Sequence, residues 1–193
     1  MLAQPLAITL QVIDAFEIAG IPYMIGGSLA SALHGVARST LDTDLVADLQ
    51  PEHIPPLVER LKDAFYVDES MILDAVIHQT SFNLIHLETM FRVDVFVLKP
   101  YPFDQNQIRR RTPYIVSTDP ERSVYVTTPE DIILAKLSWY RQGGEGSQRQ
   151  WQDVLGVIKV QAGNLDLDYL RQWAVLLGVR DLLDLAIPLE PPT

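Results

Sequence analysis

Asp42 and Asp44 stand two apart in the apolar run LDTDLVADL, and Gly26, Gly27 and Ser28 stand together shortly before them. Side chains of a strand alternate between faces, so Asp42 and Asp44 point to one side while Thr43 and Leu45 point to the other. Two carboxylates about 7 Å apart on one face repel each other unless something positive sits between them. A hard divalent cation meets that need, because magnesium takes oxygen ligands and keeps room for phosphates. Asp48 lies on the same face further along and reads as a solvated residue. The glycines let a phosphate approach the backbone, and the N-terminus of a following helix offers unpaired N–H groups to an anion. Ser28 adds a hydroxyl, as a phosphate donor or as a helix N-cap. The unit pairs a phosphate cradle with a metal-binding strand.

The elements that must hold these residues can be read from periodicity. Residues 5–19 have helical spacing and stop at Gly20; IPYMIGG is a short buried strand ending in a glycine turn; SLASALHG is a short helix closed by Gly35. LDTDLVADL is the second strand. PEHIPPLVERLKDAFY is a helix with a proline-interrupted first turn, and ESMILDAVI is another. TSFNLIHLE and MFRVDVFVL alternate and are separated by almost nothing, which predicts a hairpin. In the second run Arg92, Asp94 and Phe96 share one face, and Val93, Val95 and Val97 the other. Residues 99–119 read as a less regular stretch, with Asp104 in a loop and the triplet Arg109, Arg110 and Arg111 as a solvated face. SVYVTT is a strand. Beyond it the pattern is helical, in PEDIILAKLSWYRQ, RQWQDVLGVIKVQ, LDYLRQWAVLLG and RDLLDLAI, with Thr128 as a cap and Pro129 at the first position of the first of these. His34 is expected to pack near the end of its helix, and Trp139, Tyr140, Trp151 and Trp173 to pack in the core. The expectation is an α/β protein: a mixed sheet flanked by helices over residues 1–127, and a helical C-terminal part over 128–193.

Composition limits what such a protein does. Of 193 residues, 48% are hydrophobic and 21% charged, which predicts a folded chain. The net charge of −10, from 15 Lys plus Arg against 25 Asp plus Glu, opposes a large surface that grips nucleic acid by neutralising phosphates. The chain has no cysteine, which excludes disulfides, thiolate ligands and a Cys nucleophile. Its first residues, MLAQPLAITLQVIDAF, lack a basic n-region, and no apolar run approaches the roughly 20 residues that span a bilayer. A soluble cytoplasmic protein is expected. No Walker phosphate loop, dinucleotide fingerprint or GxSxG elbow occurs.

The stretch over residues 22–49 resembles the signature of the nucleotidyltransferase superfamily, the polymerase-beta-like fold: a hydrophobic residue, Gly-Gly or Gly-Ser, roughly a dozen residues, then Asp-x-Asp. Here thirteen residues separate Ser28 from Asp42. The segment ARSTLDTDL, with Arg38 and Thr40, is similar to the form in AbiEii-type toxins and other minimal nucleotidyltransferases; Thr43 departs from the usual apolar residue, though a β-branched side chain still suits a strand. The resemblance implies a third carboxylate on a later strand, for which Asp94 is the candidate and Asp104 the poorer substitute. A lone aspartate in an apolar strand is costly to bury without a partner. It also implies that Arg38 reaches a triphosphate or clamps the acidic residues, or else forms an ordinary surface ion pair. Lys136, amid apolar neighbours, and Asp153 on the following helix match a lysine and an aspartate that contact nucleotide in the related enzymes; the two could equally pair with each other.

The activity so implied moves a nucleoside monophosphate from a nucleoside triphosphate to an acceptor, with magnesium or manganese held by Asp42, Asp44 and Asp94. Gly26, Gly27, Ser28, Arg38, Lys136 and Asp153 are the nucleotide-binding candidates. Charge favours a small molecule or a protein side chain as acceptor over nucleic acid, unless Arg92, Arg109, Arg110, Arg111 and Arg122 gather into a basic patch beside the active strand. Two other classes stay open: a toxin acting on transfer RNA and restrained by an antitoxin-like partner protein, and a non-catalytic nucleotide-binding module.

Overall fold

Helices and strands alternate as the switching periodicity requires. In the computed structural model, which describes residues 4–37 and 42–187, the first elements are α1 (Gln4–Ile18), β1 (Tyr23–Ile25), α2 (Gly27–His34), β2 (Asp42–Ala47), α3 (Ile54–Leu61), β3 (Phe65–Tyr66), α4 (Glu69–His78) and β4 (Ser81–His86). There follow β5 (Arg92–Val97), α5 (Pro102–Arg110), β6 (Thr112–Thr118), β7 (Glu121–Val126), α6 (Pro129–Gln142), α7 (Gln148–Val160), α8 (Leu167–Leu176) and α9 (Arg180–Ala186). These elements group into two units, Met1–Gly26 with Ser39–Thr127, and Gly27–Arg38 with Thr128–Thr193.

The first unit carries a seven-stranded mixed sheet in the order β3-β4-β5-β2-β1-β7-β6. β2 and β5 lie parallel at its centre, while β4 and β1 flank them antiparallel. Alternation sets the two faces: Leu45, Ala47, Val93 and Val95 are buried, whereas Asp42, Asp44, Val46, Asp94 and Phe96 face the other way and are only partly covered. On the buried side α1 contributes Val12, Ile13 and Phe16, all fully buried, and α3 contributes Leu57. Thr43 points into this side without an orphaned hydroxyl: it is hydrogen-bonded at 3.0 Å to the hydroxyl of Thr9 in α1, whose own proton goes to the Pro5 carbonyl at 2.8 Å. On the opposite face Ile108 of α5 packs with Met24, Leu98 and Val46. The apolar end of that face is covered, and its acidic end carries Asp42, Asp44 and Asp94.

The second unit is helical. Thr128 caps α6 by accepting the Asp131 N–H at 3.2 Å, with Pro129 at the first position, as the sequence predicts. Ser147 and Asp166 cap α7 and α8 in the same way. α2 packs against α6 and α7, and its end is tied to α7: the Gln161 side chain donates to the His34 carbonyl at 2.8 Å. At Gly35 a Cβ would meet the backbone N of Val157 at 2.8 Å, so only glycine allows that approach.

Three expectations are corrected. Residues 99–119 are regular: Pro102 opens α5, whose first turn holds Asp104, and Thr112–Thr118 is the edge strand β6. The tail of the helix read from residue 51 is the two-residue strand β3, preceded by a 3₁₀ turn, Pro51–His53, and by α3. The aromatic residues of the second unit are not core residues; Trp139 is exposed, and Tyr140 and Trp151 pair their half-buried rings 5.5 Å apart. Among the described residues no helix is long and apolar enough to cross a membrane.

Candidate active site

Register brings the acidic residues together. In the β2–β5 ladder Asp42 stands opposite Arg92, and Asp44 opposite Asp94. Because both strands alternate in phase, all four side chains lie on the partly covered face. One guanidinium nitrogen of Arg92, Nη2, lies 3.2 Å from Asp42 Oδ2 and 3.0 Å from Asp94 Oδ2, so a single cationic group bridges the strands. Asp94 is the most sheltered of the three, its side chain 15% exposed against 32% for Asp42 and 47% for Arg92. Burial pushes the Asp94 carboxyl up from its ordinary pKa; Arg92 draws it back down, and the neighbouring Asp42 charge raises it again.

The donor chemistry fits a hard cation. Three carboxylates from adjacent strands supply only oxygen, the ligand that magnesium and manganese take. Like-charged residues opposite each other on a sheet are destabilising, so Asp44 and Asp94 call for a positive neighbour. As the side chains stand, Arg92 is that neighbour, and no group of three or more His, Cys, Asp or Glu among the described residues is arranged to hold a metal ion.

The glycine turn adjoins the same strand. The Gly26 N–H donates to the Asp44 carbonyl at 2.9 Å, which fixes the end of β1 beside the second aspartate. Gly27 opens α2 with φ 53°, a left-handed conformation that favours glycine, and its carbonyl accepts the Ser31 hydroxyl at 2.9 Å. Ser28 is the second residue of α2. Arg38 lies outside the described residues. Lys136 of α6 and Asp153 of α7 are buried and face each other, with Nζ 2.9 Å from Oδ2.

Arg92 was legible as a member of the Asp94 face, but its bridge depends on a ladder between distant segments. The basic patch that the sequence left open does not gather Arg122 beside it. Arg122 sits on β7, separated from β5 by β2 and β1, where Asp14 and Glu17 hold it at 2.6 and 2.9 Å. Arg111 lies over the Tyr125 ring, 4.6 Å from its centroid. An open cavity of about 570 Å³ is lined by Tyr23, Arg111, Arg122 and Tyr125, at the end of β1 remote from Gly26. It contains none of the three aspartates.

No protein-family model matches the chain, and no curated protein matches it in sequence. Solved structures do match. An antigenic nucleotidyltransferase-like protein from Paracoccidioides brasiliensis aligns over 96% of this chain and 93% of its own, with a TM-score of 0.53 and 18% identity. The fold is nucleotidyltransferase-like. The same architecture appears in ANT(2")-Ia in complex with adenylyl-2"-tobramycin, with a TM-score of 0.56 and 12% identity over 93% of this chain and 99% of that one. The lincosamide antibiotic adenylyltransferase LnuA, lincomycin-bound, aligns with a TM-score of 0.51 and 13% identity over 79% of this chain and 95% of its own. At these identities the likeness is one of nucleotidyltransferase fold.

Proposed function

We propose that the protein transfers a nucleoside monophosphate from a nucleoside triphosphate to a hydroxyl of a small molecule, releasing pyrophosphate. The observation that carries this reading is the β2–β5 register, which sets Asp44 opposite Asp94 with Asp42 on the same face of a nucleotidyltransferase-like sheet. Asp42 and Asp44 would hold two divalent cations and Asp94 one of them. Magnesium or manganese bound there would neutralise phosphate charge and align the α phosphate for displacement.

The remaining steps belong to the chain and its substrates. Asp94 takes the proton of the acceptor hydroxyl. The hydroxyl oxygen bonds the α phosphorus as the bond to the β phosphate oxygen breaks, and pyrophosphate leaves with that electron pair. Gly26, Gly27 and Ser28 are assigned to the terminal phosphates, on the chemistry of a glycine turn leading into a helix N-terminus. Lys136 and Asp153 enter as a buried pair that fixes α6 against α7, because each already satisfies the other's charge. Positioning and charge neutralisation supply most of the rate.

The acceptor class rests on two supports. ANT(2")-Ia holds adenylyl-2"-tobramycin and the adenylyltransferase LnuA holds lincomycin, both small molecules, which makes adenylyl the first group to test. The net charge of −10 and the dispersal of Arg92, Arg111 and Arg122 oppose a polyanion. The test incubates α-labelled nucleoside triphosphates and magnesium with a metabolite extract, a protein extract and total transfer RNA in separate tubes. Label is expected in the small-molecule fraction and absent with Asp42→Asn. Efficient labelling of transfer RNA, lost in the same variant, overturns the acceptor assignment in favour of a toxin-like enzyme with a restraining partner.

A further inference from the structure

Arg92 has no part in the chemistry above, yet it occupies the centre of the site. The sequence R-x-D of β5 runs in register beside D-x-D of β2, so Arg92 is set opposite Asp42 while Asp94 is set opposite Asp44. Its Nη2 is shared between Asp42 and Asp94, at 3.2 and 3.0 Å. That is the place of a shared cation. The opposed Asp44–Asp94 pair sets two like charges side by side on a partly covered surface, and Arg92 is the cation that β5 itself supplies.

We infer that Arg92 is a positioning residue that acts as an internal counter-ion: it holds Asp42 and Asp94 together in the metal-free protein and must be displaced when a divalent cation binds. The inference rests on the proposed metal site. Two features make displacement feasible. The Arg92 side chain is 47% exposed, so the guanidinium can swing to water without leaving an unsatisfied buried charge. Ion pairs of such exposure are individually weak, and a divalent ion shared by carboxylates outcompetes them. A cation that stabilises only the empty state opposes loading, so Arg92 sets the metal affinity of the site.

The experiment titrates Mn2+ alone into the full chain, following the free-ion EPR signal, and records thermal unfolding without metal and at saturating Mn2+. Arg92→Gln is compared with wild type and with Lys99→Gln, which removes one charge just beyond β5, where its electrostatic neighbour is Asp104 and not an aspartate of the site. Arg92→Gln is expected to bind Mn2+ about fivefold more tightly, the equivalent of losing roughly one exposed ion pair, to unfold at a lower temperature without metal and to match wild type when saturated. Lys99→Gln is expected to leave Mn2+ binding unchanged. If Arg92→Gln does not fold, Arg92→Met replaces it, since it loses the charge and keeps an unbranched apolar stem; binding tighter than wild type is again expected. Mn2+ binding that is unchanged by either Arg92 variant overturns the counter-ion role and leaves the transfer reading intact. Equal tightening by Lys99→Gln reduces the effect to general charge and also overturns it. No Mn2+ binding by any of the proteins overturns both readings.

Discussion

Asp94 is a carboxylate in a strand whose other face is wholly apolar, and the fold disfavours its ionisation. A carboxyl whose folded pKa is raised weakens the folded state at pH above that raised value, and the effect disappears below the ordinary carboxylate range. Asp94→Asn is therefore expected to raise the thermal midpoint of the metal-free protein slightly near neutral pH, with the gain fading as pH falls to about 3.5. Unfolding curves at both pH values check this, and a variant less stable at neutral pH shows that the Arg92 ion pair outweighs desolvation. The three aspartates were legible because residue type and two-residue spacing announce a charged row inside apolar strands. The Arg92 bridge was not, because it is created by pairing residues fifty positions apart. Thr43 shows the same limit: its partner, Thr9, comes from α1.

At the scale of elements, the central strands could be read locally because each has one fully buried face. β6 could not, since five of its seven residues are exposed and its strand identity comes from pairing with β7. α5 was hidden by Pro102 and by its polar composition, although proline suits the first helical position. Within the second unit the approach of α2 to α7 depends on Gly35. Gly35→Ala is expected to destabilise the protein by about 1–3 kcal/mol, the usual range for overpacking a close contact, because a Cβ there meets the backbone of Val157 and Gly156. Gly146→Ala, which places its Cβ in open space, is the control and is expected to be near neutral. Urea unfolding compares the two; equal midpoints would mean that α7 yields without strain.

For the molecule as a whole, charge speaks about the acceptor and fold speaks about the donor. The net charge of −10 is present in composition, but the sequence left open whether the arginines cluster; Arg122 is taken by Asp14 and Glu17, and Arg111 by Tyr125. The nucleotidyltransferase-like fold is shared with proteins at 12–18% identity, where overall sequence similarity is weak and the glycine–aspartate spacing still points to the fold. The central claim is that the paired aspartates make nucleoside triphosphate binding depend on a divalent cation. Calorimetric titration of a non-hydrolysable ATP analogue, with magnesium and then with chelator, tests it on wild type and on the Asp42→Asn, Asp44→Asn double variant. These changes remove two negative charges at nearly constant shape, so the fold should survive. Wild type is expected to bind only with metal, and the double variant to bind more weakly by on the order of a hundredfold, since even outer-shell partners of a metal are worth about 10–100-fold. Equal binding by the two folded proteins with magnesium present would contradict the account.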